Sequence, residues 1–145
     1  MRSFQTLNHT KWDCTYHVVI VPKYRKKLLF GQVRVQIGKM LKELAAQKES
    51  EILEGHALPD HIHIVISIPP KYSVSYIIGF LKGKSAIKAH NMFCTKTRPI
   101  PPKYFWSRGY FVRTVGIDEG TVRKYVQEQW KNDQSFDGPQ LDLHW

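Results

Sequence analysis

The stretch Asp60-His61-Ile62-His63-Ile64-Val65-Ile66-Ser67-Ile68 decides the fold of this 145-residue chain. Side chains along a β-strand point alternately to the two faces of a sheet, so this stretch predicts a strand with two different faces. Its isoleucines form one face, which belongs against a layer of helices. The other face carries His61, His63, Val65 and Ser67 and needs only a partial cover.

The sequence on both sides of this stretch supplies the other elements of the fold. β-branched and aromatic residues predict further strands over residues 14–21, 51–58 and 104–115. Apolar residues at helical spacing predict an amphipathic helix over residues 33–48 and a second helix that Ser73 caps. The order β-α-β-β-α-β predicts an α+β, ferredoxin-like fold, with one antiparallel sheet and both crossover helices on the same face.

An extra helix is predicted near the C-terminus, beginning near Asp118 and running through Trp130. Tyr125 and Gln129 are one helical turn apart, so a phenol and a neutral amide project from the same side. That side of the helix is also apolar. We therefore expect it to dock near the histidine face of the sheet, in the same subunit or in a neighbour.

Length and composition limit the class of protein. The chain is long enough to bury a core without disulfides and short enough for a single domain over residues 1–145. It has no N-terminal segment of signal type and no apolar stretch that could cross a membrane, so we expect a cytoplasmic protein with no membrane partner. Cys14 and Cys94 lack metal-binding spacing and are predicted to be thiols.

The distribution of charge points to a polyanionic partner. The 22 Lys and Arg outnumber the 12 Asp and Glu, and the formal charge is +10. Residues 61–117 contain no Asp or Glu, and residues 23–27 form a second basic cluster with an aromatic ring. A solvated basic surface is the simplest interpretation of a short lysine run, but an acid-free interval of this length favours a nucleic acid. The candidate DNA-binding residues are Lys23, Arg25, Lys26, Lys27, Lys82, Lys84, Arg108 and Arg113.

Four residues could carry chemistry together. His61 and His63 lie on one strand face, close enough to share a cation, and Tyr125 and Gln129 add a nucleophile and an oxygen ligand. Taken singly, paired histidines on a half-exposed sheet and a tyrosine on an apolar helix face are more often structural. An RNA-binding sheet module is a rival interpretation, because residues 108–112 partly match its aromatic strand pattern, but it leaves the four residues without a role.

Five motifs follow one another along the chain, from about residue 10 to residue 130. They are Pro22-Lys23-Tyr24-Arg25, Asp60-His61-Ile62-His63, Phe80-Leu81-Lys82-Gly83-Lys84-Ser85, Phe105-Trp106-Ser107-Arg108-Gly109-Tyr110 and Tyr125-Val126-Gln127-Glu128-Gln129. In order and spacing, this set resembles the small single-tyrosine HUH transposases, TnpA of the insertion sequence two hundred family.

The resemblance implies an enzyme, a DNA strand-transferase and endonuclease that cuts and rejoins single-stranded DNA at hairpin-bearing element ends. Tyr125 would be the nucleophile and would form a 5′-phosphotyrosine, while His61, His63 and Gln129 would hold Mg²⁺, or Mn²⁺, which also suits histidine ligands. The resemblance further implies a homodimer that needs no ATP, because the covalent bond keeps the energy for rejoining. The alternative is a catalytically silent or domesticated regulator that binds DNA or RNA hairpins on the same fold.

Overall fold

The structure, a computed structural model, describes residues 5–7, 10–23, 29–96, 105–116 and 124. The chain divides into two compact units, Met1–Val115 and Gly116–Trp145, and a single domain over the whole chain stays a prediction. The strands and helices named below all lie in the first unit. The predicted C-terminal helix with Tyr125 and Gln129 falls outside the described residues, apart from Lys124, which is helical.

The described part of the first unit contains two antiparallel sheets. A small sheet that was not predicted from the sequence pairs β1 (Gln5–Leu7) with β2 (Thr10–Trp12). The remaining elements, in chain order, are β3 (Thr15–Ile20), α1 (Gly31–Gln47), β4 (Glu51–Leu58), β5 (His61–Ser67), α2 (Val74–Phe93) and β6 (Phe111–Thr114). The four later strands form the main sheet in the order β4-β5-β3-β6. This arrangement confirms the predicted α+β, ferredoxin-like order β-α-β-β-α-β.

The two faces of β5 differ as the alternating sequence predicts. Ile62, Ile64 and Ile66 are buried, whereas His61 and His63 are half-buried on the opposite face. The isoleucines join a single apolar core to which β3, α1 and α2 all contribute. Burying one such side chain contributes about 1.5–3 kcal/mol. The core therefore holds both helices on the isoleucine face and leaves the histidine face on the other side of the sheet.

The last strand is shorter than predicted, and the prediction of one strand over residues 104–115 was wrong. Trp106 forms an isolated antiparallel bridge with Pro22, while β6 starts only at Phe111, opposite Val19. Residues 107–110 therefore oppose only residues 20–21, so the extra residues bulge out of the ladder. Gly109 lies in this bulge with φ +75°, in the left-handed region that glycine adopts without steric cost.

Helix α2 begins where its capping residue predicts. The Ser73 hydroxyl accepts a hydrogen bond from the backbone N–H of Tyr76 at 3.1 Å, which satisfies one of the otherwise unpaired amides of the first turn. β4 covers residues 51–58, as predicted. The boundaries of α1 and β3 shift by one or two residues: α1 covers 31–47 instead of 33–48, and β3 covers 15–20 instead of 14–21. Among the helices that the structure describes, none combines the length and the apolar character needed to span a membrane.

Candidate active site on the histidine face

The histidine face of the main sheet carries more imidazoles than the motif predicted. His56 on β4 lies directly opposite His63 on β5, so the two side chains share a face. His17 on β3 lies opposite Val65, two residues from His63 on the same face. Together with His61, these residues place imidazoles on three adjacent strands. His17 and His56 were missed in the sequence because their positions on this face depend on strand pairing.

His61 is oriented by the residue before it. Its Nδ1 lies 2.9 Å from Oδ1 of Asp60, and both side chains are partly buried. A carboxylate only accepts, so a neutral His61 donates its Nδ1–H and keeps its lone pair on Nε2. A carboxylate bound to the other ring nitrogen is the usual arrangement behind a metal-ligating histidine. The contact with Asp60 thus leaves the lone pair of a neutral His61 on Nε2, the nitrogen that could bind a metal ion.

His63 has a different partner. Its Nε2 lies 3.0 Å from Nδ1 of His17, and the two ring centroids are 5.1 Å apart with an interplanar angle of 32°. This distance is that of a hydrogen bond, in which one ring donates its N–H and the other accepts. The motif histidine is therefore already engaged through Nε2 within the sheet.

A carboxylate also lies on the histidine face, at the sheet edge. Glu54 and His56 are both on β4, and their side chains form an exposed hydrogen bond of 2.8 Å. This hydrogen bond and the charge of His56 lower the pKa of the Glu54 carboxyl below its ordinary value. Desolvation raises the pKa by less, and the charges of His17 and His63 lower it slightly further. Glu54 therefore stays ionised beside the imidazoles.

The imidazoles suit a divalent cation only in part. Within the described ranges, no group of three or more His, Cys, Asp and Glu side chains is placed to hold a metal ion. His61 and His63 do share one face, as predicted, and imidazole nitrogens suit Mn²⁺ better than Mg²⁺, which prefers oxygen ligands. A further ligand has to come from elsewhere. Gln129, the predicted oxygen ligand, lies outside the described residues, as does the predicted nucleophile Tyr125.

The candidate DNA-binding residues differ in where the structure places them. Arg113 on β6 lies directly opposite His17, on the histidine face, and is exposed. Lys84 and Arg108 are exposed, and Lys23 is half-buried. Lys82 is half-buried and donates a hydrogen bond of 2.8 Å to the carbonyl of Gly109, and burial lowers the pKa of its ammonium. Outside the described residues lie Arg25, Lys26 and Lys27.

An apolar groove lies between α2 and the bulged segment. It has a volume of about 520 Å³ and is lined by Lys82, Gly83, Ala86, Ile87, Trp106 and Arg108, among others. The Trp106 side chain that lines the groove is held in place by a buried hydrogen bond, which its Nε1–H donates to the Ser85 hydroxyl at 2.9 Å. The motifs around Lys82 and Arg108 thus meet in space, although these two residues are 26 positions apart in the chain.

These features define a class of protein. It is an α+β protein with a ferredoxin-like sheet, which has helices on one face and imidazoles beside an arginine side chain on the other. Residues 10–129 match the family model described as "Transposase IS200 like", the Y1 transposases. The chain belongs to this family. The resemblance inferred from the motifs is confirmed, and the matched range includes all four residues predicted to carry chemistry.

Curated relatives agree with the family. The chain is 39% identical over 139 residues to the transposase for insertion sequence element IS200 of Salmonella typhimurium, covering 96% of this chain and 90% of that protein. It is 27% identical over 119 residues to the ISDra2 transposase TnpA of Deinococcus radiodurans, covering 81% and 85% of the two chains.

Solved structures share the fold. A crystal structure of a Deinococcus radiodurans protein assigned as a transposase superposes with a TM-score of 0.68 at 23% identity, covering 88% of this chain and 96% of that one. The structure of a REP-associated tyrosine transposase bound to a REP hairpin superposes with a TM-score of 0.52 at 16% identity, covering 93% of this chain and 74% of that one. At these identities the likeness concerns the fold.

Proposed function

We propose that this transposase cleaves and rejoins single-stranded DNA at the ends of an insertion sequence, with Tyr125 as nucleophile and with a divalent cation held by His61, His63 and Gln129. The observation that carries the proposal is the histidine face of β5. It presents both motif imidazoles on one side of the sheet, and Asp60 holds His61 with its Nε2 lone pair available.

The donor set explains why a phosphate fits this site. Two neutral imidazoles and a neutral amide bring no negative charge, so an anionic group of the substrate is the natural complement. When bound, Mg²⁺ or Mn²⁺ would stabilise the negative charge that develops on the scissile phosphate. His61 and His63 hold their rings on a rigid strand, so the position of the phosphate is set by the sheet and not by a loop.

Tyr125 would supply the nucleophilic oxygen. A phenol has an ordinary pKa near 10, so it must lose its proton as it attacks phosphorus. The new Tyr125 O–P bond replaces the bond from phosphorus to the 3′ oxygen, which leaves with a proton as a free 3′-hydroxyl. The DNA 5′ end stays on the tyrosine as a phosphodiester, and reversal of the same step rejoins the strands. No ATP is needed because the number of phosphodiester bonds is unchanged.

The basic residues would guide the strand to the site. Arg113 lies on the histidine face beside Phe111, whose side chain is 58% exposed, so a cation and a stacking surface stand next to the imidazoles. A hairpin-bearing substrate is supported by the solved relative that is bound to a REP hairpin. A homodimer acting on DNA in the cytoplasm belongs to the same proposal.

The test is incubation of the protein with hairpin-bearing single-stranded DNA and Mg²⁺, followed by a denaturing gel. We expect a covalent protein–DNA product that requires the cation and that Tyr125→Phe abolishes while DNA binding persists. An adduct formed at the normal rate by Tyr125→Phe would refute the nucleophile assignment. Tight hairpin binding without any adduct would instead favour the silent regulator.

A further inference from the structure

His17 lies outside the motif, but its side chain is within hydrogen-bond distance of a motif histidine. Its Nδ1 is 3.0 Å from Nε2 of His63. Both rings are half-buried, so the contact is partly shielded from water and is not a chance encounter of mobile surface groups. The inference drawn from it rests on the proposed cation site.

The geometry is that of a hydrogen bond and not of two ligands around one ion. The ring centroids are 5.1 Å apart and the two nitrogens 3.0 Å apart. The difference is about the sum of the two centroid-to-nitrogen distances, so both nitrogens lie close to the line that joins the centroids and face each other. Two lone pairs that converge on a cation would instead point to a third position between the rings. One ring must therefore donate its N–H, and Nε2 of His63 is engaged whichever ring that is.

The backbone keeps His17 in this position. Its strand β3 is central in the sheet and is paired on both sides, with Val65 opposite His17 on β5 and Arg113 opposite it on β6. A residue fixed by two ladders holds its Cβ at a constant distance from His63. Only a side-chain rotation can separate the two rings.

The nitrogen that His17 engages is the one that the cation would use. Asp60 leaves Nε2 of His61 as its ligand nitrogen. His63 lies two residues further along the same face of β5. From these two positions, Nε2, the ring nitrogen farther from the backbone, reaches a shared ion more easily than Nδ1. Cation binding at Nε2 of His63 therefore requires that the hydrogen bond to His17 be broken.

We infer that His17 is a positioning residue that holds Nε2 of His63 while the cation is absent and competes with the cation for that nitrogen. His17 thereby lowers the affinity of the site for a cation and keeps the His63 ring oriented until the substrate phosphate adds its negative charge. A net hydrogen bond between neutral groups corresponds to roughly a 2- to 10-fold effect on an equilibrium. Loss of the competitor should tighten cation binding by that factor.

The first experiment measures Mn²⁺ binding to the full chain without DNA, by electron paramagnetic resonance. His17→Phe removes the hydrogen-bonding nitrogen and should bind Mn²⁺ roughly 2- to 10-fold more tightly than the wild type. His17→Asn keeps a polar group near the position of Nδ1 and should restore an affinity close to that of the wild type. Weaker or unchanged binding in His17→Phe would overturn the inference.

The second experiment needs no variant and covers the case in which His17→Phe fails to fold. Nitrogen-15 NMR of the imidazoles near pH 8 reports which ring nitrogens carry a proton and which accept a hydrogen bond. On addition of Mg²⁺, both Nε2 of His63 and Nδ1 of His17 should change. A Nδ1 signal of His17 that stays constant while His63 responds would overturn the inference.

His61→Ala separates a failure of this inference from a failure of the cation site. It leaves the His17–His63 pair intact but should abolish Mn²⁺ binding. If His61→Ala bound Mn²⁺ like the wild type, the proposed cation site would itself be wrong, whatever the His17 variants show.

Discussion

Arg113 stands directly across the β3–β6 ladder from His17, on the histidine face of the sheet. Neighbouring strands are about 4.8 Å apart, so a permanently charged guanidinium lies one strand away from the imidazoles. The acid-free interval over residues 61–117 thus brings a cation to the candidate site itself. Arg113 and the histidine motif therefore belong to one surface.

Arg113→Gln should reduce the salt dependence of single-stranded DNA binding. Each phosphate contact that is lost lowers the slope of log K against log salt by about 0.7. Binding measured over a salt series should therefore show a shallower slope and weaker binding at low salt for hairpin and plain strands alike. Lys71→Gln is the matched control, because the Lys71 ammonium is paired with Glu49 on another part of the surface. Equal slopes for Arg113→Gln and the wild type would remove Arg113 from the DNA path.

Asp60→Ala should weaken Mn²⁺ binding by about 10- to 100-fold, the range found when a carboxylate behind a metal-ligating histidine is removed. Without Asp60, the Nδ1–H of His61 loses the acceptor that lies 2.9 Å away, and the ring is no longer oriented. Isothermal titration without DNA measures the effect. Glu54→Gln removes a carboxylate charge from the same face and should have a much smaller effect. Similar losses in both variants would mean that charge alone matters.

Ser85→Ala should destabilise the fold by about 1–3 kcal/mol, because it leaves the buried Nε1–H of Trp106 without an acceptor. Ser85 is fully buried and Trp106 is 6% exposed, so water cannot replace the lost partner. Urea unfolding gives the free energy. Trp106→Phe combined with Ser85→Ala should cost less than the sum of the two single changes. Strict additivity would show that this hydrogen bond contributes nothing.

Cys14 should react with iodoacetamide more slowly than Cys94 at about pH 8. Burial raises the pKa of the Cys14 thiol above its ordinary value, and the nearby Asp13 carboxylate raises it further. The thiolate is the reactive form, so a raised pKa lowers the reactive fraction at this pH, while Cys94 is exposed. Mass spectrometry of Cys14→Ser and Cys94→Ser follows each thiol alone. A faster reaction at Cys14 would contradict the expectation.

Local signals explain why most of the main sheet could be predicted. The alternation in β5 and the cap at Ser73 depend on neighbouring residues only, and both appear in the structure where the sequence places them. The start of β6 depends instead on pairing with β3 across a bulge, so no local pattern marks it. The partner of Lys82 likewise has no local signal. Its charge alone made Lys82 a candidate DNA-binding residue, but in the structure its ammonium donates a hydrogen bond to the Gly109 carbonyl.

The candidate site was predictable to the extent that it lies on one strand. His61 and His63 alternate along β5, so their common face follows from the sequence. The contact between His17 and His63 joins residues that are 46 positions apart, and it becomes visible only once β3 pairs with β5. A search for further histidines on predicted strands would have found His17 as a candidate but not its partner.

The strand order also bears on how the chain is made. The apolar, β-branched core of β5 has few charges and no proline, the composition of segments that aggregate when their edges are exposed. Both neighbours of β5 in the sheet, β3 and β4, precede it in the chain. During synthesis from the N-terminus, each edge of β5 thus has its partner strand available as soon as β5 emerges. Both partner strands of this segment therefore leave the ribosome before it does, and before α2 and β6.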